Sequence, residues 1–311
     1  MTHPHITEWR VHLGAHKAAS THLAKSLLAR SEEQARHGVT YVSNTTVIRP
    51  LLRNADRRNL PEKVLTHILP STARLYMATR GRAIRQGIAK RVALPGAALF
   101  SEENLLGPLS SCLTGRVYPD LSRLHLLRHV IGPDRAELFL AIRSFDSYLP
   151  SVYAQQLRLT RINRRTLNRA VASFVERPPR WIDLIRRIRA ILPEARLQVW
   201  DHADYRANDW RIADGVSGVA LGPRESIAVP TGTASPSAQA IAAAEALDML
   251  TGPERSKRVR EMFARDIESG EEKERFDPLP SETKTILREA FRRDLDAIDR
   301  EFPGMLMNFA S

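Results

Sequence analysis

The amino-acid sequence predicts an α/β fold in which helices flank a parallel β-sheet. Short apolar runs alternate along the chain with longer stretches whose apolar residues recur at helical spacing. One run, residues 137–142, is apolar over almost its whole length, which is typical of a strand buried on both faces. Because strands that alternate with helices favour parallel pairing, we expect a single α/β domain over residues 1–311.

Five segments are predicted to form the strands. In chain order they are residues 9–13, 39–43, 97–100, 137–142 and 197–200. The first of them ends at a glycine-containing turn, and the second is rich in β-branched side chains. Each is short enough for a strand and is separated from the next by a stretch long enough for a crossover helix.

The helices are predicted between and after these strands. They cover residues 20–36, 61–91, 121–130, 181–192 and 281–301, with an alanine-rich helix after residue 237. The segment at about 50–91 is basic and helical, and the region 237–311 is expected to form a helical cover. Residues 229–237 are rich in Pro, Gly, Ser and Thr, which predicts a loop.

Composition narrows the class of protein. The chain has 311 residues, 43% of them hydrophobic, and no run approaches the ~20 apolar residues that span a bilayer. The first residues lack the apolar core of a secretory signal, and Cys112 has no second cysteine to pair with, so we expect a cytoplasmic protein. The net charge of +12 predicts a surface that attracts phosphate, sulfate or acidic polymers.

The turn after the first strand has the composition of an anion site. Ligands of open parallel sheets bind where the strands end, and the first strand–helix turn is the usual place for an anion. Gly14 allows a tight turn, Lys17 supplies a positive charge, and Ser20 and Thr21 supply hydroxyls and N–H groups at a helix N-terminus. The spacing is not that of a Walker A loop, in which Lys directly precedes the hydroxyl residue. The alternative is an ordinary turn with Ser20 as the helix N-cap.

A second motif lies at the end of the fourth predicted strand. Arg143 follows residues 137–142, and Ser151 comes eight residues later in the next helix. An arginine can bind phosphate oxygens through two parallel hydrogen bonds, and a serine one turn away can add a hydroxyl. The alternative is an arginine that is simply exposed at a strand end.

Together these motifs resemble the sulfotransferases that use 3′-phosphoadenosine 5′-phosphosulfate (PAPS). The family's phosphosulfate loop reads roughly H-x-G-x-x-K-[ST]-[GA]-[ST]-T, and its 3′-phosphate site is a strand-end Arg with a Ser eight residues later. The loop here has Ala18 where a hydroxyl is common and Ala19 where Gly is commoner. The resemblance implies a P-loop-containing, sulfotransferase-like fold and the following cofactor-binding residues: Gly14, His16, Lys17, Ala18, Ala19, Ser20, Thr21, Arg143 and Ser151.

The same resemblance implies the catalytic groups. Lys17 would stabilise the charge that grows on the leaving phosphate. A carboxylate after the third strand would be the general base, with Glu103 as the first candidate and Glu102 as the second. The alternative is that both glutamates cap the following helix. His16 and His22 flank the loop and are further candidates, and no metal is expected, because no histidine pair carries the neighbouring carboxylate of a His-Glu-x-x-His metal motif.

The predicted function is transfer of a sulfuryl group from PAPS to a hydroxyl or amino group, with adenosine 3′,5′-bisphosphate as the product. A carbohydrate, glycoconjugate or other small molecule would be the acceptor, and the basic surface would suit an anionic one. The first alternative is a P-loop kinase, which the missing Gly-Lys-Ser/Thr sequence disfavours. The second is a basic nucleic-acid-binding protein, which the 6% aromatic content and the missing recognition motifs disfavour.

Overall fold

Five parallel strands form the sheet of the computed structural model, which describes residues 6–49, 70–92, 95–222, 235–247, 252–269 and 273–309. The strands are β1 (Ile6–Gly14), β2 (Val39–Tyr41), β3 (Gly96–Ser101), β4 (Arg135–Ile142) and β5 (Arg196–Asp201). Their order across the sheet is β2-β3-β1-β4-β5, so β1 lies at the centre. The predicted α/β class with a parallel sheet is therefore confirmed.

The helices of the described residues follow in chain order. They are α1 (Ser20–Ala29), α2 (Ser31–Arg36), α3 (Pro70–Ala89), α4 (Ser122–Ile131), α5 (Phe145–Leu159), α6 (Arg164–Glu176), α7 (Trp181–Ile191), α8 (His202–Ser217), α9 (Ala238–Ala246), α10 (Gly252–Glu268) and α11 (Ser281–Glu301). Two short 3₁₀ helices, Glu103–Leu106 and Leu109–Leu113, follow β3, and a π-helical turn covers Asn44–Ile48. Within these residues, no helix is both long enough and apolar enough to cross a membrane.

Both faces of the sheet are covered, as the apolar run in β4 predicts. Leu138 and Leu140 point into the larger core cluster, whereas Phe139 and Ala141 point into the cluster on the opposite face. In that second cluster they pack with apolar residues of α1 and α8: Leu23, Leu27, Ile212, Ala213 and Val216. Burial on two faces removes the need for alternation, because no side of the strand meets water.

Some element boundaries differ from the sequence prediction. The single helix over residues 20–36 is wrong, since the chain breaks at Arg30 and forms α1 and α2. Arg30 is buried, and its Nη1 donates to Asp214 of α8 at 2.8 Å. The helix predicted over 61–91 is observed as α3, with residues 61–69 outside the described part of the chain. Of the predicted loop, only residues 235–237 are described, directly before α9.

Candidate functional site

The loop between β1 and α1 lies at the carboxyl edge of the sheet. Gly14 ends β1 with φ +105°, and an added Cβ there would come within 3.1 Å of the Cβ of Glu103, so this position requires glycine. Lys17 and Ala19 also have positive φ values, 60° and 64°. Such values cost non-glycine residues on the order of 1–3 kcal/mol and are concentrated at ligand sites. The backbone of this loop is therefore held in an unusual conformation.

Ser20 is the first residue of α1 rather than its N-cap. Ala19 occupies the cap position and supplies no side-chain hydrogen bond, so the predicted N-cap alternative for Ser20 is wrong. The Ser20 hydroxyl instead donates to the Ala15 carbonyl oxygen at 2.7 Å, which fastens the loop onto itself. The first turn of α1 contains no acidic residue either. Its N–H groups thus lack a side-chain acceptor within the helix, an arrangement that favours an anion.

Arg143 follows β4 and forms a hydrogen bond to the loop that follows β1. Its Nη1 donates to the Lys17 carbonyl oxygen at 2.6 Å, and its Nε donates to the hydroxyl of Ser147 at 2.9 Å. Its own carbonyl oxygen accepts a hydrogen bond of 3.0 Å from Trp181 Nε1. The guanidinium is therefore held by neutral groups, and the partner hydroxyl comes from Ser147 rather than from Ser151.

The Lys17 ammonium is in an unfavourable environment for a cation. Burial, the positive charge of Arg143 and that of Arg158 lower the pKa of Lys17 to about 8, while the negative charge of Glu103 acts in the opposite direction. Burial also lowers the pKa of Arg143. Neither cation has a carboxylate partner within 4 Å among the described residues. A bound anion would relieve both, because it restores the attraction that burial removed.

A cleft of about 740 Å³ brings most of the predicted site residues together. Of those residues, the ones that line it are His16, Lys17, Ala19, Ser20, Thr21, His22, Glu103, Arg143 and Ser151. Gly14, at the end of β1, and Ala18, within the loop, are both buried. Ala18 packs with the core cluster that contains apolar residues of α1. The structure thus assigns these two residues to the shape of the loop rather than to the cleft wall.

The two glutamates after β3 differ in their surroundings. Glu102 is fully buried and caps the Glu103–Leu106 helix, since its Oε1 accepts a 3.0 Å hydrogen bond from the Asn104 N–H. Its Oε2 accepts from Arg49 Nε at 2.7 Å. The capping alternative therefore describes Glu102, whose carboxylate does not face the cleft. Glu103 is partly exposed, lines the cleft and adds its negative charge to the surroundings of Lys17 and His16.

The histidines near the loop are held neutral. The backbone N–H of His16 donates to the Tyr118 hydroxyl at 2.9 Å, and the ring Nδ1 of His16 lies 3.0 Å from the same oxygen. Burial lowers the pKa of His16, of His22 and of His12, the last to about 3. At neutral pH these rings therefore serve as neutral hydrogen-bonding groups near the loop rather than as cations.

Sequence reasoning missed several residues of the cleft, among them His202 and Arg49. His202 is the first residue of α8, directly after β5, and burial together with the charges of Arg143 and Lys17 lowers its pKa to about 4. Its position after a predicted strand at the same sheet edge is the signal that could have found it. Arg49 and Arg158 also line the cleft, and Arg49 belongs to no motif that marks it.

No cluster of three or more metal-ligating side chains occurs in the described ranges. Comparisons of the chain with protein-family models, with curated protein sequences and with solved structures found no match.

Proposed function

We propose that the protein transfers the sulfuryl group of PAPS to a hydroxyl or amino group of a carbohydrate or other small acceptor. The observation that carries the proposal is the meeting of Lys17 and Arg143 at one cleft, beside the N-terminus of α1. The two residues come from motifs 126 positions apart, and neither has a carboxylate within 4 Å among the described residues. An ordinary turn and an exposed arginine would not require this arrangement.

The phosphates of the donor would divide between two adjoining clefts. The loop and the first turn of α1 would bind the 5′-phosphosulfate, and Arg143 with Ser151 would bind the 3′-phosphate. Both residues also line a second cleft of about 770 Å³, in which Lys273 pairs with Asp266 and Arg288 pairs with Asp146. Arg275 adds a further cation to its wall. For this binding, the Arg143 guanidinium would exchange its hydrogen bond to Ser147 for one to the phosphate.

The residues of the cleft would divide the chemistry between them. Glu103 would take the proton from the acceptor as the acceptor oxygen or nitrogen forms its bond to sulfur. Lys17 would stabilise the negative charge on the bridging oxygen as the sulfur–oxygen bond to the phosphate breaks. The products are a sulfated acceptor and adenosine 3′,5′-bisphosphate, with the proton on Glu103. Neither role requires a metal ligand from the chain.

A thermal-shift titration tests the donor site directly. We expect adenosine 3′,5′-bisphosphate to stabilise the protein by about 2.7 kcal/mol at 100 times its dissociation constant, and AMP to stabilise it much less. Lys17→Ala should abolish the shift, whereas Arg36→Ala, which removes a charge outside both clefts, should preserve it. Stabilisation by ATP with Mg²⁺ alone would indicate a kinase. Stabilisation by polyanions alone, with strong salt dependence, would indicate a nucleic-acid-binding protein.

A further inference from the structure

A smaller pocket lies beside the cleft that contains Lys17. It has a volume of about 300 Å³, at the lower end of the range for small-molecule sites. Four residues line both cavities: Ser20, Thr21, Arg49 and Glu103. The two cavities therefore adjoin at the N-terminus of α1, and the carboxylate of Glu103 is available to both.

The walls of this pocket combine hydroxyl and amide groups with a small apolar surface. Tyr41, Ser43, Asn44 and Thr45 provide the polar groups, and α1 contributes the apolar residues Ala24 and Leu28. Burial and the negative charge of Glu102 raise the pKa of Tyr41, so its hydroxyl stays protonated and can donate a hydrogen bond. Such a mixture suits a hydroxylated molecule of about the size of one sugar unit.

The charges of the pocket point to an anion on that molecule. Glu103 is the one carboxylate among the described residues that line it, whereas Lys25 and Arg49 are cations. Lys25 is exposed on α1 and forms no ion pair in the described part of the chain. The side chain of Arg49 is held in place by Glu102, because its Nε donates at 2.7 Å to the fully buried carboxylate of that residue.

We infer that this pocket binds the acceptor, and that the acceptor is a small hydroxylated molecule that carries a carboxylate or a similar anion. Lys25 and Arg49 bind the anion, and Glu103 receives the proton of the hydroxyl or amine that is sulfated. The inference rests on the proposed function, which supplies the donor in the adjoining cleft. It adds the location of the acceptor, its charge and the residues that select it.

Matched neutral and anionic sugars test the inference. Methyl β-D-glucuronide and methyl β-D-glucoside are titrated into the protein by calorimetry, with and without saturating adenosine 3′,5′-bisphosphate. We expect the glucuronide to bind about tenfold more tightly than the glucoside, because charge-assisted hydrogen bonds exceed neutral ones. Lys25→Gln should weaken glucuronide binding about threefold and leave glucoside binding unchanged. Lys90→Gln, which removes the same charge outside both cavities, should change neither.

Arg49→Gln should weaken glucuronide binding about tenfold. Because this change also removes the partner of buried Glu102, its thermal unfolding is measured in parallel, and Lys25→Gln serves as the variant without that complication. Equal affinity for the two sugars, unchanged glucuronide affinity in Lys25→Gln, or no binding at about 20 mM would each overturn the inference. Failure of the bisphosphate to bind is a separate result, which would overturn the proposed function.

Discussion

Near the amino ends of the strands, arginines of the sheet and of the neighbouring helix α3 lie against carboxylates. Arg10 pairs with Glu8 at 2.7 Å and with Glu137 at 2.9 Å. Arg135 lies 3.3 Å from Glu137, and the Nη2 of Arg85 lies 2.6 Å from Asp134. These charges satisfy one another, so they orient the chain but offer little attraction to a ligand.

At the carboxyl ends the cations differ from one another: Arg49 pairs with Glu102, whereas Lys17 and Arg143 have no carboxylate within 4 Å among the described residues. Arg143 donates to a carbonyl and a hydroxyl, and Lys17 has no ion pair in the described residues. The difference teaches that net charge does not locate a binding site in a chain of +12. What distinguishes Lys17 and Arg143 from the arginines at the amino ends is that no carboxylate lies against them in the described residues.

Glu102 and Glu103 show the same contrast, because Glu102 pairs with Arg49 and Glu103 has no arginine partner among the described residues. The largest expected effect comes from Glu103. Glu103→Gln should lower the rate of sulfuryl transfer from PAPS by roughly 10²–10⁴-fold, because the amide cannot accept the proton. Binding of adenosine 3′,5′-bisphosphate should stay near wild type. Transfer is measured with labelled PAPS and methyl β-D-glucuronide as acceptor. Full activity in Glu103→Gln would exclude Glu103 as the base.

The next effect compares an arginine from each edge. Arg143→Ala should weaken binding of adenosine 3′,5′-bisphosphate about 100-fold, since two charge-assisted hydrogen bonds to a phosphate are lost. Arg135→Ala should change that binding less than twofold, because its exposed side chain lies against Glu137 at the other edge. Calorimetric titration of both variants measures the difference. Normal binding by Arg143→Ala would show that the 3′-phosphate is placed wrongly.

The sequence predicted the sheet better than it predicted the site. An apolar run marks β4 because the strand is buried on both faces, whereas β2 is only partly buried and was marked by its β-branched residues. The polar helix α10 lies in the region 237–311 that was predicted to be helical, but it was not predicted as a separate helix, since only Arg255, Val259 and Phe263 of its residues are buried. The break at Arg30 depends on Asp214, 184 residues away, which no local pattern contains.

Most of the predicted site residues line one cleft at the carboxyl edge of the sheet. Lys17 and Arg143 were found because each follows an apolar strand that is visible in the sequence. His202 and Arg49 were not found, since their place in the cleft depends on how α8 and the turn after β2 pack against β1 and β3. The different surroundings of Glu102 and Glu103 also depend on tertiary contacts, because adjacent carboxylates look alike in the sequence.

The smallest expected effect is a pH dependence that arises from Lys17 at the edge without ion pairs. Its pKa is lowered to about 8 in the folded protein, and a bound bisphosphate would raise it, so binding above pH 8 must take up a proton. Affinity should therefore fall as pH rises from about 8 to 10, by at most tenfold per pH unit.

The stability of the free protein should change in the opposite direction. Between about 8 and the ordinary value of 10.5, the unfolded chain holds the Lys17 proton and the folded chain does not. The free energy of unfolding contributed by this group therefore increases with pH across that window. Lys17→Arg stays charged at all these pH values and should show neither trend. Calorimetric binding and thermal melts at pH 7, 8 and 9.5 compare the two proteins. A wild-type affinity that is constant across this range would mean that the Lys17 ammonium does not contact the bound phosphate.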